Sequence, residues 1–245
     1  MDIIRRHFPT IDSTNTWGKE HAHELPQDKI TLLTADSQTA GRGRFKRKWE
    51  SPPGENIYAT FCFFVEKDAK NIGNIPQILA ISAAKILKNL NFNPTLKWPN
   101  DVLISDKKIA GILAETTVVG NMCMVLGIGL NVNMPREMLN KIDRPATSLL
   151  AETGRFFDKE MVLTELQNEF TKNLEIFFSQ GFSPFLETYR YFMPKNPHKI
   201  LRFHDNRMIW EGTLHDINQD GSLCLKLADG ELKTFIAGEI LWPGE

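Results

Sequence analysis

Hydrophobic residues follow two different periods along the first two thirds of the chain, and the period separates strands from helices. In residues 56–66, apolar side chains fill both alternating sets, which predicts a central strand covered on both faces. In residues 74–90 they recur three and four positions apart, which predicts an amphipathic helix packed on the sheet. A second long helix is predicted from Asp158, as its N-cap, to Gly181. Its buried stripe would consist of Leu163, Leu166, Phe170, Leu174 and Phe177.

Shorter elements are predicted on either side of these. Three more strands are expected at residues 103–105, 108–117 and 122–133, with a turn at Gly120-Asn121 between the last two. A short helix is expected over residues 14–23, and either Ser13 or Thr14 is suited to cap it. Strands and helices therefore combine in one α+β domain, with a mixed sheet flanked by helices.

The pattern changes beyond Pro194-Lys195-Asn196-Pro197, where only short strands follow. They are predicted at residues 199–203, 208–217, 222–227, 231–236 and 239–242. Asp220-Gly221 and Asp229-Gly230 are typical two-residue hairpin turns between them. So short a unit predicts a small antiparallel barrel or sandwich that must dock on the larger domain to be stable. We expect two domains, residues 1–195 and 196–245.

Composition excludes several classes of protein. The 29 basic and 30 acidic residues give a net charge of −1, so no global field attracts the chain to nucleic acid or to an anionic membrane. Three widely spaced cysteines without a Cys-x-x-Cys pair argue against a disulfide framework or a zinc site, and they fit a reducing compartment. The start has no apolar signal segment, and no window has the roughly 18 apolar residues of a membrane span. A cytoplasmic protein is expected.

One short basic segment stands out against this balanced background. Residues 36–49 interleave two glycines, Gly41 and Gly43, with two arginines, Arg42 and Arg44. Glycines that reach positive φ let backbone N–H groups approach a ligand, and guanidinium groups match carboxylate or phosphate oxygens. The loop is therefore predicted to bind an anion. A solvated surface loop and a nucleic-acid contact are the alternatives.

Two further polar segments carry candidate binding groups. Ser13-Thr14-Asn15 offers two hydroxyls and an amide, which suit a small neutral polar group, although such residues also serve as helix caps. In Lys97-Trp98-Pro99-Asn100-Asp101 a strand is predicted to end in a turn. Lys97, Asn100 and Asp101 would hold a ribose or a phosphate there, and Asp101 is a candidate oxygen ligand for Mg²⁺.

Two predicted strands carry candidate site residues, a lysine pair and several glycines, whose roles strand alternation alone does not determine. Lys107 and Lys108 must point to opposite faces, so only one of them enters a cleft, while Gly111 leaves room for a ligand beside the backbone. Gly127 and Gly129 interrupt an apolar strand that does not lead into a helix, which excludes a dinucleotide fingerprint. Either a flat ligand lies against these glycines or they form a bulge.

Taken in order, these motifs resemble those of the biotin protein ligases, which attach biotin to carboxylase subunits. The resemblance is dense over residues 11–134 and extends to the rest by architecture. It is carried by five segments: Ser13-Thr14-Asn15, residues 38–44, residues 97–101, residues 108–113 and Gly127-Ile128-Gly129-Leu130-Asn131.

The resemblance implies a role for each matching residue. Facing the biotin head would be Ser13, Thr14, Asn15 and Gln38, and folding over biotin and its adenylate would be Gly41, Arg42, Gly43 and Arg44. Trp49 would cover the adenine, beside Gly111. The nucleotide and its metal would be served by Lys97, Asn100, Asp101 and Asn131. Lys108, rather than Lys107, occupies the lysine position of the family, and with Arg44 it would be catalytic.

The resemblance also implies fold, reaction and partners. It predicts a class II synthetase-like catalytic domain followed by a small SH3-like β-barrel, in a short form without the DNA-binding domain that makes some relatives repressors. Biotin, ATP and Mg²⁺ would give biotinyl-AMP, and a lysine of a biotin carboxyl carrier domain would then accept the biotin. We expect that domain to dock by strand pairing at an edge of the large domain near the cleft, with a homodimer left open.

Three other classes of activity are weighed against this one. A lipoate or octanoate ligase shares the fold, an acyl transferase would need a cysteine nucleophile, and a nucleic-acid module would need a more basic chain. Pyrophosphate release with biotin, and with neither lipoate nor octanoate, would distinguish them.

Overall fold

The structure, a computed structural model, describes residues 1–66, 72–195 and 199–242. The larger domain is built on a seven-stranded mixed sheet whose strands are β1 (Ile3–Ile11), β2 (Ile30–Gln38), β3 (Ile57–Val65), β4 (Pro94–Lys97), β5 (Asp101–Ile104), β6 (Lys107–Val119) and β7 (Asn121–Leu130). They pair in the order β1-β2-β3-β7-β6-β5-β4. Only β1 and β2 run parallel, and every other neighbouring pair is antiparallel.

Six helices accompany this sheet within the described residues: α1 (Thr14–Glu20), α2 (Ile75–Asn89), α3 (Arg136–Leu139), α4 (Leu149–Thr153), α5 (Lys159–Gln180) and α6 (Leu186–Phe192). The alternation of β3 shows how the helices divide between the two faces. Phe61 packs on Phe170 of α5 with the two rings tilted, whereas its neighbour Cys62 lies in a second apolar cluster beside α1. The predicted central strand is therefore confirmed, because helices cover both of its faces.

The two long helices match their sequence prediction closely. Asp158 caps α5 by accepting hydrogen bonds from the backbone N–H groups of Glu160 and Met161, and Gly181 ends it at φ 71°. All five residues of the predicted stripe are buried. For α1 the alternative between Ser13 and Thr14 is settled in favour of Ser13, whose hydroxyl accepts from the N–H of Thr16. Ser13 therefore has a structural task as well as a place in the predicted site.

The C-terminal domain is a five-stranded antiparallel sheet, as predicted. Its strands are β8 (Ile200–His204), β9 (Ile209–Ile217), β10 (Leu223–Leu227), β11 (Leu232–Phe235) and β12 (Glu239–Ile240), paired in the order β11-β10-β9-β8-β12. Gly221 and Gly230 adopt φ of 77° and 89° in the two predicted turns. Pairing ends at β11 and β12, so a closed SH3-like barrel stays a prediction. Asn196 and Pro197 of the predicted domain boundary lie outside the described residues.

The two sheets meet at the turn between β9 and β10 of the C-terminal domain. The carbonyl oxygen of Gly221 accepts from Gln77 Nε2 at 2.8 Å and from the indole of Trp98 at 3.0 Å. Phe203 of β8 is fully buried and packs on Trp98, with ring centroids 5.7 Å apart. The small sheet thus completes its core against the larger domain, as expected for so short a unit. No helix among the described residues is long and apolar enough to cross a membrane.

Candidate active site

A cleft of roughly 350 Å³ opens where the sheet, the basic loop and the C-terminal strand β12 meet. Apart from Gly41, every residue of the predicted site lines it, and these residues are Ser13, Thr14, Asn15, Gln38, Arg42, Gly43, Arg44, Trp49, Lys97, Asn100, Asp101, Lys108, Gly111 and Asn131. Segments that are far apart in the chain therefore converge on one cavity.

The sequence predicts that Gly41 and Gly43 act through positive φ, and the structure shows that they do not. Neither adopts it, and the left-handed residue of the loop is Phe45, at φ 55°. Gly41 is needed for a different reason, because a Cβ there would lie 2.6 Å from both Ser51 Oγ and the carbonyl oxygen of Trp49. Gly41 thus closes the base of the loop and lies behind the cleft wall. Around Gly43 a Cβ would meet only the carbonyl of Arg47, at an ordinary 3.6 Å.

The floor of the cleft consists of glycines covered by the indole of Trp49. Gly111 and Gly129 are direct cross-strand partners on β6 and β7. A Cβ on Gly129 would approach Trp49 to 2.3 Å, and one on Gly111 would approach it to 3.0 Å. The register of β7 is continuous with both neighbours, so the bulge alternative is wrong. The flat group against these glycines is a side chain of the protein itself.

Gly127 makes room in the same way for Asn15. A Cβ on Gly127 would lie 2.1 Å from Asn15 Oδ1. The carboxamide is held by Thr60 Oγ1, 2.7 Å from Oδ1, and by Glu115 Oε2, 3.2 Å from Nδ2. Neither Thr60 nor Glu115 was predicted. The strand alternation of β3 was the available signal for Thr60, a buried hydroxyl among apolar residues.

A polar network links these groups along one end of the cleft. Thr60 Oγ1 lies 2.8 Å from the hydroxyl of Thr14, and Gln38 Oε1 accepts from the backbone N–H of Thr14 at 2.9 Å. The amide of Gln38 donates in turn to Ser51 Oγ at 3.0 Å. This end of the cleft therefore presents neutral hydroxyl and amide groups in fixed orientations.

The opposite end of the cleft is cationic. Lys108 Nζ lies 2.6 Å from Asp101 Oδ1 and 5.3 Å from the ring centroid of Trp49. Arg44 donates to Asn100 Oδ1 at 3.2 Å and to the carbonyl oxygen of Gly238 at 2.9 Å. Burial lowers the pKa of the Arg44 guanidinium, while the carboxylates of Glu239 and Asp101 act in the opposite direction. Desolvated cations of this kind interact strongly with an anion.

The structure separates the two adjacent lysines. Lys108 points into the cleft, whereas Lys107 is half exposed and lies 3.7 Å from Glu152. The backbone of Lys108 also holds a loop, since its N–H donates to Pro145 O at 2.8 Å and its carbonyl accepts from Thr147 N at 2.9 Å. Residues 141–146 thereby line the cleft, a contribution that no sequence motif indicated.

Asn131 is engaged on both sides of its carboxamide. Its Nδ2 donates to Thr147 O at 3.0 Å, and its Oδ1 accepts from Asn56 Nδ2 at 3.3 Å. The bond to Thr147 attaches the end of the 141–147 loop to the sheet, and the bond from Asn56 fixes the orientation of the carboxamide. Contact with a nucleotide stays a prediction, and the positioning of that segment is a second task for the residue.

The C-terminal domain supplies part of the wall. Arg47 of the basic loop makes two hydrogen bonds to Glu239, at 2.6 and 2.7 Å. Lys97 Nζ lies 3.8 Å from the ring centroid of Trp242. Arg47, Glu239 and Trp242 were not predicted as site residues, because nothing in their local sequence distinguishes them from surface groups.

A resident metal centre is not evident in the part of the chain that is described. No group of three or more His, Cys, Asp or Glu side chains converges there. Asp101, the predicted metal ligand, is already neutralised by Lys108. Mg²⁺ needs only one or two carboxylates when it arrives with phosphate oxygens, so the role of Asp101 stays a prediction.

The cysteines are unsuited to nucleophilic catalysis. All three are free and buried. Burial raises the pKa of Cys123 to about 11 and shifts that of Cys62 further in the same direction. A thiol needs its thiolate form to attack, so a cysteine-dependent acyl transfer is disfavoured.

Comparison with known protein families returns two matches that cover most of the chain. Residues 7–133 match the biotin/lipoate A/B protein ligase family, and residues 199–241 match the biotin protein ligase C-terminal domain. The second match coincides with the five-stranded sheet.

Individual proteins resemble the chain over most or nearly all of its length. The bifunctional ligase/repressor BirA of Salmonella typhimurium is 32% identical over 236 residues, which is 95% of this chain and 72% of that protein. The biotin–[acetyl-CoA-carboxylase] ligase of Paracoccus denitrificans is 30% identical over 71% of this chain and 74% of its own. Among solved structures, the biotin protein ligase from Aquifex aeolicus in complex with biotin and ATP superposes with a TM-score of 0.80. It has 29% identity and covers 98% of this chain and 97% of its own.

Proposed function

The chain belongs to the biotin protein ligases of the biotin/lipoate A/B protein ligase family, and we propose that its cleft joins biotin to ATP and then to a protein lysine. In the first step a carboxylate oxygen of biotin attacks the α-phosphorus, the bond to the bridging oxygen breaks, and pyrophosphate leaves. In the second step the lysine amine attacks the acyl carbon of biotinyl-AMP. Its proton is lost and AMP leaves.

One observation carries this proposal, namely the division of the cleft into a neutral polar end and a cationic end. Hydroxyl and amide groups suit the ureido ring of biotin, which is polar and uncharged. Cations suit the phosphates and the charge that develops on them. Between the two ends lies the indole of Trp49, which covers the glycine floor, and an aliphatic tail packs against this apolar surface.

At the polar end, Ser13, Thr14, Asn15 and Gln38 bind the biotin ring. The bond between Thr14 and Gln38 and that between Asn15 and Thr60 support this assignment, because they fix which atom of each group is free to face the ligand.

At the cationic end, Arg44 and Lys108 stabilise the phosphoryl transition state. Lys97 and Asn100 hold the nucleotide beside them, and Arg42 and Gly43 belong to the loop that closes over the adenylate. The first step needs no general base, since the carboxylate of biotin is already ionised. The chain contributes charge, orientation and exclusion of water from the mixed anhydride. Magnesium would enter as MgATP, and Asp101, the ion-pair partner of Lys108, would be its candidate carboxylate ligand.

The acceptor is a biotin carboxyl carrier domain that pairs with an exposed strand edge. The far half of β6 supports this docking. β5 pairs with β6 only as far as Gly111, and beyond it residues 114–119 alternate between exposed and half-buried positions. An open edge beside a cleft accepts a strand from another β-rich domain. The C-terminal sheet then frames the nucleotide, which agrees with the contacts of Arg44 and Arg47 to residues 238–239.

The test is pyrophosphate release with ATP and each of three acids, followed by mass spectrometry of an added carrier domain. Biotin should release pyrophosphate and add a single biotinyl group to a carrier lysine. Release with lipoate or octanoate at a similar rate would overturn the assignment of the polar end. Release with biotin that never reaches the carrier would overturn the second step.

A further inference from the structure

Glu115 lies on β6 just outside the cleft and connects three parts of its wall. Its carboxylate accepts from Lys19 Nζ of α1 at 2.9 Å and from Arg42 Nη2 of the basic loop at 3.0 Å. It also accepts from Asn15 Nδ2 at 3.2 Å. Only 17% of the side chain is exposed. None of the sequence motifs includes this residue.

Lys19 and Arg42 keep this carboxylate ionised and in place. Partial burial by itself raises the pKa of Glu115, but hydrogen bonds from Lys19 and Asn15 and the charge of Arg42 outweigh it, so the pKa lies below its usual value. A carboxylate in this state accepts hydrogen bonds and donates none. The group facing it must therefore be a donor.

That requirement fixes the orientation of Asn15. The Nδ2 group donates to Glu115 and to the carbonyl oxygen of Leu113, both at 3.2 Å. If the carboxamide were rotated by half a turn, its oxygen would face these two acceptors and its nitrogen would face Thr60. Because the carboxamide fits into the space left by Gly127, it has no room to avoid this choice by moving away.

The orientation is passed on to the residues that face biotin. With Asn15 Oδ1 as an acceptor, the single proton of the Thr60 hydroxyl is directed to it at 2.7 Å. The 2.8 Å contact between Thr60 Oγ1 and the Thr14 hydroxyl must then use the proton of Thr14, which is thereby drawn away from its other acceptor, Gln38 Oε1 at 3.2 Å. With a rotated Asn15, Thr60 would donate to Thr14 instead, and the Thr14 proton would go to Gln38 Oε1. The orientation of Asn15 therefore decides where the Thr14 proton lies.

We infer that Glu115 is a positioning residue for the biotin end of the cleft, acting through Asn15 and Thr60 on the hydroxyl of Thr14. The inference rests on the proposed function and deepens it, since it concerns how the polar end recognises the biotin ring. Glu115 contacts neither Arg44 nor Lys108, the two cations assigned to the phosphates, and its one link to the basic loop is Arg42. Its loss should therefore affect biotin more than ATP.

The experiment measures pyrophosphate release in the absence of carrier, so that the nearby strand edge plays no part. Glu115→Gln keeps the size of the side chain but replaces one acceptor oxygen with a donor. We expect KM for biotin to rise about tenfold, which is what the loss of one charge-assisted hydrogen bond gives. KM for ATP should stay within about twofold.

Glu169→Gln is the matched control. Glu169 of α5 is also a partly buried glutamate that accepts from a lysine, Lys85 at 2.8 Å, and from an asparagine, Asn173 at 3.1 Å, but it lies away from the cleft. It should change neither KM. A comparable rise for both substrates would mean that Glu115 acts through Arg42 or through stability, a comparable rise for both variants would mean that it acts through stability alone, and either result would overturn the inference.

A second comparison isolates the route through Asn15. In an Asn15→Ala background, Glu115→Gln should raise KM for biotin by less than about twofold, because the group that it orients is already absent. A full tenfold rise there would show that Glu115 acts by another route.

If Glu115→Gln does not fold, Glu115→Asp, which keeps the charge at a shorter reach, must still raise KM for biotin selectively. A wild-type protein inactive with biotin would instead refute the proposed function.

Discussion

Arg47 and Glu239 join the basic loop to the C-terminal sheet through two hydrogen bonds of 2.6 and 2.7 Å, across 192 residues of sequence. The carboxylate is only 15% exposed. A guanidinium and a carboxylate joined by two parallel hydrogen bonds fix each other's orientation as well as the distance between them. The contact therefore couples the position of the basic loop to the docking of the C-terminal domain.

The first prediction is that this pair contributes to adenylate formation as a unit. Arg47→Lys and Glu239→Gln should each slow pyrophosphate release, and the double variant should be little worse than either single variant. The coupling energy from the cycle should be about 1–2 kcal/mol, reduced from that of a buried pair because Arg47 is partly exposed. Additive effects would show that the two side chains act separately.

The second prediction concerns Arg44, whose guanidinium is desolvated at the cationic end. Arg44→Ala should cost roughly 2 to 4 kcal/mol of transition-state stabilisation, as does the loss of other pre-positioned donors. Single-turnover pyrophosphate release and the rate at which biotinyl-AMP escapes are the measurements. Arg155→Ala, at an exposed site, is the control. Wild-type behaviour of the Arg44 variant would refute its catalytic role.

The third prediction separates the adjacent lysines. Lys108→Ala should reduce adenylation about 100-fold or more, because it removes a cation from the cleft. It also leaves Asp101 without its ion-pair partner. Lys107→Ala should remain within about threefold of wild type, since its contact with Glu152 is exposed and long. The reverse ranking in a rate assay would mean that the side-chain register of β6 is misassigned.

The fourth prediction tests the glycine floor. Gly129→Ala should force Trp49 off the sheet and cost about 1–3 kcal/mol in the free energy of unfolding, because a Cβ would overlap the indole. Affinity for biotin should fall with it. Gly73→Ala is the control, since no atom lies within 4 Å of the position of its Cβ. Denaturant unfolding and biotin titration of both variants would check this, and equal stabilities would contradict it.

The fifth prediction is a pH dependence in the C-terminal domain. Asp205 accepts from the backbone N–H of Met208, the indole of Trp210 and the N–H of Arg207, which together lower its pKa from 3.8 to about 2. A lowered pKa adds stability above the unfolded value and loses it as pH falls through the folded value. The stability gap between wild type and Asp205→Asn should therefore shrink as pH falls from 3.8 to about 2.

A carboxyl carbon titration by NMR would measure this pKa directly. A midpoint near 3.8 for Asp205 would show that the three donors do not hold the carboxylate in solution.

Local sequence determined the elements whose pattern is periodic and whose ends carry a cap. The helix α5 is the clearest case, because Asp158, the apolar stripe and Gly181 all act within a few residues of one another. The hairpins at Gly221 and Gly230 are similar, since their turns require a backbone conformation that only a few residues adopt.

The edge strand β1 was not predicted, and its burial explains why. Most of its residues are exposed, so it carries no alternation, and it contains Pro9. β2 was missed because Thr31, Thr34, Asp36 and Ser37 interrupt its apolar residues, so it shows neither the continuous apolar run of β3 nor a clean alternation. Such a strand gives no local signal, and pairing partners that lie far apart in the chain decide its place.

The sequence by itself determined the family and the set of groups that chemistry needs, because the ligand-facing residues are concentrated in short motifs of fixed order. Only the tertiary structure shows which side chains require the space left by the glycines. Only the tertiary structure also shows which residues outside the sequence motifs complete the site. Trp49 over Gly129, Asn15 against Gly127, Arg47 with Glu239, and Glu115 behind Asn15 are all contacts between segments distant in the chain. Such pairs leave no local periodicity, since each partner is selected by the three-dimensional space and charge that the other presents.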